Sequence, residues 1–284
     1  MIKVTMLLEN TNPNQKDLKA KHGLSMYVQM PGHKLLFDVG PDDTFIRNAE
    51  KLKINLANVD TVIISHGHAD HGGGLAAFLK INTKAKIYIQ KNAFNNFYTG
   101  LYGLKIPIGL DKTLKDNPRI ILTNYFYIID EHLQVFSEIE QNKLLSVQNN
   151  NLYVKKTGIY KKDSFVHEQN LLITYDKTNV LLTGCSHQGI YNILNKAEIV
   201  AHSNIDYVFG GMHLYSNTTK KYESSKLINN LSVALFNSKT AKFYTCHCTG
   251  PEAYDKMKDV MQGKIDYIST GDCVQIKLDK PVKK

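Results

Sequence analysis

Four side chains that bind metal ions well fall within residues 66–71 of this 284-residue sequence. They are His66, His68, Asp70 and His71. Three imidazoles and a carboxylate at this spacing can surround one or two divalent ions. Packing alone has no use for four such groups together, because burying polar side chains without partners costs free energy. The cluster therefore predicts a metal site.

The residues on either side predict how the cluster is positioned. The apolar and largely β-branched run 61–64 predicts a buried strand that leads into it, and the three glycines at 72–74 predict a turn into a helix over 75–79. The same order of strand, glycine-marked turn and histidine or cysteine recurs near positions 185, 213 and 247. Because groups at the carboxyl ends of strands in α/β sheets meet at one edge, we expect these later residues to join the cluster.

The remaining candidates lie where a predicted strand or hairpin meets a turn. Taken singly, each has an ordinary interpretation: an aspartate can cap a helix or orient a histidine, a histidine can be exposed, and a cysteine can be an inert buried thiol. Adjacent side chains on an extended segment point in opposite directions, so His247 and at most one of its two flanking cysteines are expected to face the site. The candidates are Asp38, His167, Cys185, His187, His213, His247 and Cys248.

Composition and charge indicate the cellular location of the protein and the kinds of partner that it can bind. The chain has four cysteines and no secretory signal, which predicts reduced thiols and a cytoplasmic location. No stretch approaches the roughly eighteen apolar residues that a membrane span needs. The net charge of +9 comes from scattered lysines, which either form a solvated basic surface or attract an anionic substrate. No arm rich in Arg, Lys and aromatic residues is present, so nucleic-acid binding is disfavoured, and nothing indicates an oligomeric state.

The pattern of elements predicts one domain over residues 1–284, interrupted by an insert. Strand and helix patterns are regular before position 91 and after position 165. Between them, tyrosine, phenylalanine and asparagine are frequent, and glycine and proline break the pattern. We expect this region to overhang the site. Its aromatic residues are predicted either to bind a flat substrate or to fill a small core of their own.

The motifs resemble those of the metallo-β-lactamase superfamily, and the resemblance spans nearly the whole chain. Residues 36–40, Leu-Phe-Asp-Val-Gly, look like the first motif of that family, and residues 66–71 look like its second. The stretch from His167 through a hairpin to Cys185 looks like the third and fourth motifs, although a cysteine stands where the family usually has a bridging aspartate. The resemblance implies an α/β fold, a four-layer αβ/βα sandwich, with a pair of metal ions in a groove at one edge.

The resemblance also implies ligands for two divalent ions. One ion would be held by His66, His68 and His167. The other would be held by Asp70, His71 and His247, with Cys185 between the two. The last ligand has two candidates, and the order of strands and helices resembles the RNase Z-like branch, which favours His247 over His213.

Roles for the remaining residues follow from this ligand set. A mostly imidazole set with one thiol favours Zn²⁺, and Fe or Mn would also be compatible with it. Asp38 is expected to lie behind the ligands and orient a histidine. Asp70 is expected to help orient the attacking water, and His187 and His213 are expected to transfer protons or to hold a phosphate or carboxylate.

A narrower resemblance is to proteins like the dihydropterin ribofuranosylaminobenzene phosphate synthases. It rests on Glu9-Asn10 and on the stretches 22–25, 184–187, 210–214 and 247–250. The function predicted first is a hydrolase that uses a metal-bound hydroxide on an anionic, phosphate-bearing small molecule. The alternatives are a metal-assisted transferase, which would condense a pterin with a ribosylated aminobenzene phosphate, and a metal-binding protein without catalytic activity.

Overall fold

Two large sheets packed face to face form the centre of the molecule. The structure is a computed structural model that describes residues 1–13 and 17–278. Each large sheet has seven strands and combines antiparallel hairpins with a set of parallel strands. The parallel strands direct their carboxyl ends, and the turns that follow, toward one edge of each sheet.

The first sheet is built mainly from the N-terminal half of the chain. Its strands are β1 (Ile2–Leu8), β2 (Ser25–Met30), β3 (His33–Phe37), β4 (Thr61–Ile64), β5 (Lys86–Gln90), β8 (Ile120–Thr123) and β20 (Cys273–Ile276). They lie in the order β20-β1-β2-β3-β4-β5-β8. Strand β4 lies in the parallel part of the sheet, between β3 and β5. It ends at Ile64, so it delivers the metal-binding motif to the sheet edge as the sequence predicts.

The second sheet repeats this plan with the C-terminal half. Its strands are β9 (Phe126–Ile128), β10 (Leu133–Phe136), β13 (Asn170–Tyr175), β14 (Thr178–Leu182), β15 (Tyr207–Gly210), β18 (Lys242–Thr245) and β19 (Ile265–Tyr267). They lie in the order β19-β18-β15-β14-β13-β10-β9. Strands β14, β15 and β18 are parallel. The turns that follow them carry Cys185, His213 and His247.

Helices cover the outer face of each sheet. They are α1 (Thr44–Lys51) and α3 (Leu75–Ile81) on the first sheet, and α4 (Ile190–Ala201), α5 (Ser225–Phe236) and α6 (Pro251–Met261) on the second. The short helix α2 (Ala69–Gly72) carries Asp70 and His71 instead. None of these described helices has the length and apolar character needed to cross a membrane.

Alternating burial along the strands produces three separate cores. Leu35 and Phe37 of β3 belong to the core between the two sheets, whereas Leu36 packs outward with α1 and α3. In the second sheet, Leu181 packs outward with α4, α5 and α6. The layers are therefore helices, sheet, sheet and helices, which confirms the predicted four-layer αβ/βα sandwich.

The region 91–165, predicted as an insert, divides into two parts. Its middle supplies β8 to the first sheet and β9 and β10 to the second. Its ends form a separate four-stranded sheet, which consists of β6 (Asn96–Leu101), β7 (Leu104–Pro107), β11 (Leu152–Lys156) and β12 (Ile159–Lys162). A short hairpin, β16 (Tyr215–Ser216) and β17 (Lys221–Tyr222), lies after the turn that carries His213. The boundaries of the domain remain a prediction.

Candidate metal centre

Three buried histidines form the first group of candidate ligands. One nitrogen each of His66, His68 and His187 lies within 4.8 Å of the others. The Nε2 atoms of all three rings are buried and have no hydrogen-bond partner in the described part of the chain. A buried polar atom without a partner is costly, and a divalent cation bound to all three nitrogens would remove that cost. These residues are therefore compatible with a metal ion.

Hydrogen bonds on the other ring nitrogen turn Nε2 toward this group. The Nδ1 of His66 lies 2.8 Å from Ser65 Oγ, and that hydroxyl donates to the carboxylate of Asp38 at 2.7 Å. The Nδ1 of His187 lies 2.9 Å from Oδ1 of Asn149. In both cases the oxygen accepts the Nδ1 proton, so the lone pair is on Nε2, where a metal would take it.

The second group comprises Asp70, His71 and His247. The Nε2 atoms of His71 and His247 are 3.2 Å apart, and Oδ2 of Asp70 lies 3.6 and 3.5 Å from them. Donor atoms around a tetrahedral zinc with bonds near 2.05 Å are separated by about 3.3 Å. The three separations match that value.

Acceptors behind the second group again fix the ring orientation. Oδ2 of Asp38 lies 2.6 Å from Nδ1 of His71, and Oδ1 of Asn10 lies 2.8 Å from Nδ1 of His247. Asp38 is fully buried and also accepts the backbone N–H of Ser65 at 2.7 Å. It therefore lies behind the ligands and orients a histidine, in the place that the sequence predicts for it.

Cys185 lies between the two groups. Its Sγ is 3.2 Å from Nε2 of His71, and it shares candidate sets both with His66 and with His247. This position suits the predicted bridging role. Of the two cysteines that flank His247, Cys248 belongs to a candidate set with Cys185, whereas Cys246 packs in the core between the sheets.

The electrostatics keep most of these imidazoles neutral. Burial lowers the pKa of His68 to about 3 and holds the pKa values of His66 and His187 well below the usual range. Burial alone would lower the pKa of His71 too, but the carboxylates of Asp70 and Asp38 raise it to about 9. A neutral imidazole is the form that binds a metal, and at His71 an arriving cation would displace the proton that the two carboxylates attract.

The structure departs from the expected assignment at His167. Its Nδ1 accepts the backbone N–H of Gly67 at 2.9 Å, and its Nε2 lies 3.0 Å from the carboxylate of Asp163. Both ring nitrogens therefore have partners, and none of the candidate sets named above contains this residue. His187, expected to transfer protons, instead lies with His66 and His68.

His213 lies beside these groups with both ring nitrogens unpartnered and buried. Its ring centroid is 4.2 Å from that of His187, and a further candidate set joins the two with Cys185. Oγ of Ser146 donates to its backbone carbonyl at 2.6 Å and also bonds the carboxylate of Glu223 at 2.8 Å. These bonds tie His213 to the segment around position 146.

The sequence analysis did not identify three residues that contact the ligands. Ser65 and Asn149 each accept a proton from a candidate ligand, and His22 lies 3.3 Å from Oδ2 of Asp70. Ser65 and His22 stand in or beside motifs that the sequence analysis singled out. Asn149 lies in the region 91–165, where no sequence pattern relates it to His187.

A cavity of about 290 Å³ opens over both groups. Its walls include Thr99, Ile108, Gln148 and Asn151 from the region 91–165, so this region overhangs the site. The segment 215–218, which begins with β16, also lines the cavity. Among the residues that the structure describes, the lining contains no Lys or Arg.

Comparisons with known proteins agree with the fold. The family model described as the metallo-β-lactamase superfamily matches residues 19–147. The 7,8-dihydropterin-6-methyl-4-(β-D-ribofuranosyl)-aminobenzene-5'-phosphate synthase of Methanocaldococcus jannaschii is 26% identical, and the alignment covers 96% of each chain. Tm1679, solved as a metal-dependent hydrolase of the β-lactamase superfamily, is 28% identical with a TM-score of 0.82 and covers 97% of this chain and 99% of its own. A diphosphatase of the PhnP family shares the fold at a TM-score of 0.58 and 13% identity, with 96% of each chain covered.

Proposed function

Because this chain belongs to the metallo-β-lactamase superfamily, we propose that it is a metal-dependent hydrolase acting on an anionic, phosphate-bearing small molecule. The observation that carries the proposal is the set of unpartnered Nε2 atoms of His66, His68 and His187. Two of these residues, His68 and His187, line the same cavity as Asp70 and His247. Two divalent ions bound there would lower the pKa of a coordinated water to about 7 and polarise a carbonyl or phosphoryl oxygen of the substrate. Zinc as the native metal and a cytoplasmic location are part of this proposal.

The chain supplies groups for the water and for the substrate anion. The carboxylate of Asp70 is partly exposed in the cavity, with 23% of the side chain accessible, so it can accept a hydrogen bond from the attacking water. His71, His247 and His22 hold the pKa of this carboxyl well below its usual range, although burial opposes them. Asp70 therefore remains ionised and can orient that water throughout the neutral range.

His213 is the group best placed to meet the substrate's negative charge. It lines the cavity, and its two unpartnered ring nitrogens give it one N–H to donate and one lone pair to accept a proton. A phosphoryl oxygen that bonds this N–H would lie beside the first group of ligands and Cys185, because the ring is 4.2 Å from that of His187 and a candidate set joins both histidines with Cys185. This is the role that the sequence analysis assigns to His213.

The other residues that line the cavity restrict the charge and polarity of the rest of the substrate. Away from the ligands, the cavity is lined by hydroxyl, amide and apolar groups, among them Thr99, Asn151, Asn217, Thr218 and Leu152. Without a cationic side chain among the described lining residues, a second anionic group far from the metals would have no counter-charge. We therefore propose a compact substrate with one anionic head, bound at the ligands, and a neutral polar body. A nucleic acid does not match this description.

A second candidate is the metal-assisted transferase, because the 26% identical relative is a synthase. A second cavity of about 330 Å³ shares His22, Tyr215, Asn217 and His247 with the first, which measures about 290 Å³. Cavity volume therefore does not separate hydrolysis of one substrate from condensation of two, and the two candidates are separated by activity.

A substrate screen with loaded protein separates the two candidates. Chelated protein reloaded with Zn²⁺ is tested against phosphomonoesters, phosphodiesters and lactones, and separately for product formation from the pterin and the ribosylated aminobenzene phosphate. Hydrolysis that Asp70→Ala abolishes and His132→Ala retains supports the proposal, because His132 lies outside the cavity lining. Condensation without hydrolysis of any single substrate would replace it with the transferase. Full hydrolytic activity in Asp70→Ala would contradict the role of this carboxylate.

A further inference from the structure

His22 lies beside the candidate ligands, but the proposed function does not place it on a metal ion. Its Nε2 lies 3.3 Å from Oδ2 of Asp70, a separation like those between the atoms of the second group. One ligand atom each of His22, Asp70 and His247 lies within 4.8 Å of the others. The His22 ring also stacks on that of His247, with centroids 5.0 Å apart.

The loop that carries His22 is held against Asp70 by its backbone. Leu24 N–H donates to the carbonyl of Asp70 at 3.2 Å. Gly23 has φ +143°, and a Cβ there would lie 2.4 Å from that same carbonyl oxygen and 2.7 Å from Pro41 Cδ. Only glycine therefore allows the loop to approach so closely. The approach places the neighbouring His22 over the carboxylate.

Asn10 connects this loop to the far side of the second group. Its Oδ1 accepts Nδ1–H of His247 at 2.8 Å and the backbone N–H of Gly23 at 3.3 Å, and its Nδ2 donates to the carbonyl of His247 at 3.2 Å. One side chain therefore fixes both the orientation of His247 and the position of the residue next to His22. The pair Glu9-Asn10 and the stretch 22–25, noted in the sequence without a chemical role, meet here.

We propose that His22 is an additional protein ligand of the second metal, the one held by Asp70, His71 and His247. The inference rests on the proposed function only in requiring that a metal binds at the second group. With His22 included, the second site offers three imidazoles and one carboxylate, which favours borderline ions such as Zn²⁺ or Fe²⁺ over Mg²⁺ or Ca²⁺. His22 lines the same cavity as Asp70 and His247.

The test measures metal binding rather than activity. Wild type, His22→Ala and the control His132→Ala are chelated and titrated with Zn²⁺ against a chromophoric competitor, and the Co²⁺-loaded proteins are compared by their visible d–d absorption. Removing even a hydrogen-bond partner of a ligand typically costs about 10–100-fold in metal affinity. We therefore expect His22→Ala to bind the second Zn²⁺ at least about tenfold more weakly, to leave the first unchanged and to alter the Co²⁺ spectrum. His132→Ala should match wild type in all three.

The outcomes separate this inference from the function on which it rests. Two tightly bound Zn²⁺ ions and an unaltered Co²⁺ spectrum in His22→Ala would refute the role of His22 while leaving the metal centre intact. Failure of the wild type itself to bind a second ion would refute the proposed function instead. Urea unfolding of the chelated proteins is the control for misfolding. If His22→Ala folds correctly, it should unfold at the wild-type midpoint. Imidazole added to His22→Ala is expected to restore part of the Co²⁺ spectrum.

Discussion

Alanine substitutions at His187 and at His167 should have different effects, because we predict an exchange of their expected roles in which His187, and not His167, binds the first metal ion. His187 presents a free Nε2 to His66 and His68, whereas His167 links the turn at Gly67 to Asp163. Replacing His187 by alanine should therefore release the first metal ion. Replacing His167 by alanine should destabilise the fold and leave the full set of first-site nitrogens in place.

The expected cost of His167→Ala follows from its two hydrogen bonds. The backbone N–H of Gly67 would be left buried without a partner, which costs about 1–3 kcal/mol, and a bond to the buried carboxylate of Asp163 would be lost, which costs about 1.5–3 kcal/mol. Contact between the His167 ring and Phe97, 4.0 Å apart at their centroids, is lost too. We expect a total of about 3–5 kcal/mol, a large share of the roughly 5–15 kcal/mol that stabilises a folded domain.

Two measurements on each variant check this exchange of roles. Urea unfolding in the presence of a chelator reports stability without metal, and elemental analysis after reloading with Zn²⁺ reports stoichiometry. His187→Ala should unfold close to the wild-type midpoint and hold about one ion fewer, whereas His167→Ala should unfold at much lower urea and, kept below its midpoint, hold the wild-type number. The reasoning is refuted if His167→Ala loses an ion at unchanged stability while His187→Ala retains both.

Four more outcomes follow from the same contacts. Asp38→Asn should weaken binding of the second ion by about 10–100-fold, because the acceptor for His71 loses its charge; unchanged competition with a chelator would contradict this. Asn149→Ala should weaken binding of the first ion by a similar factor and leave binding of the second unchanged, since only His187 loses the acceptor of its Nδ1 proton. Gly67→Ala should lower the free energy of unfolding by about 1–3 kcal/mol, because its Cβ would lie 2.3 Å from the carbonyl oxygen of Ala93; an unchanged urea midpoint would show that the turn adapts. Zn²⁺ at 100 times its Kd should stabilise the chelated protein by about 2.7 kcal/mol per site, and no rise in thermal midpoint would argue against a built site.

The strand, turn and central ligands of the site could be predicted from the sequence because the residues that indicate them are close together in the chain. The run 61–64 and the motif 66–71 are adjacent in the chain, so strand, turn and ligands can be recognised together. Asp38 and His247 could be placed because each follows an apolar strand, and parallel strands end at a common edge. The four-layer sandwich was predicted from the resemblance of these motifs to those of the metallo-β-lactamase superfamily.

The roles of His167 and His187 could not be separated in this way. His167 comes just before the hairpin of β13 and β14 and His187 just after it, so both lie near the same sheet edge. What distinguishes them is which ring nitrogens are already bonded. That depends on Asp163 and Asn149, residues of the region 91–165 whose contacts no periodicity encodes. A role for His22 was not predicted for a related reason. Its contact with Asp70 is made by a loop that Asn10 and Gly23 hold in place from different parts of the chain.

The central claim is that two metal ions bind here and that His187 completes the first site. Anomalous diffraction at the zinc absorption edge, from crystals of the reloaded protein, tests it most directly. We predict two peaks about 3.5–4 Å apart, one among the nitrogens of His66, His68 and His187 and one beside Asp70, His71 and His247. A single peak, or a first peak bound by His167 with His187 turned away, would contradict the account.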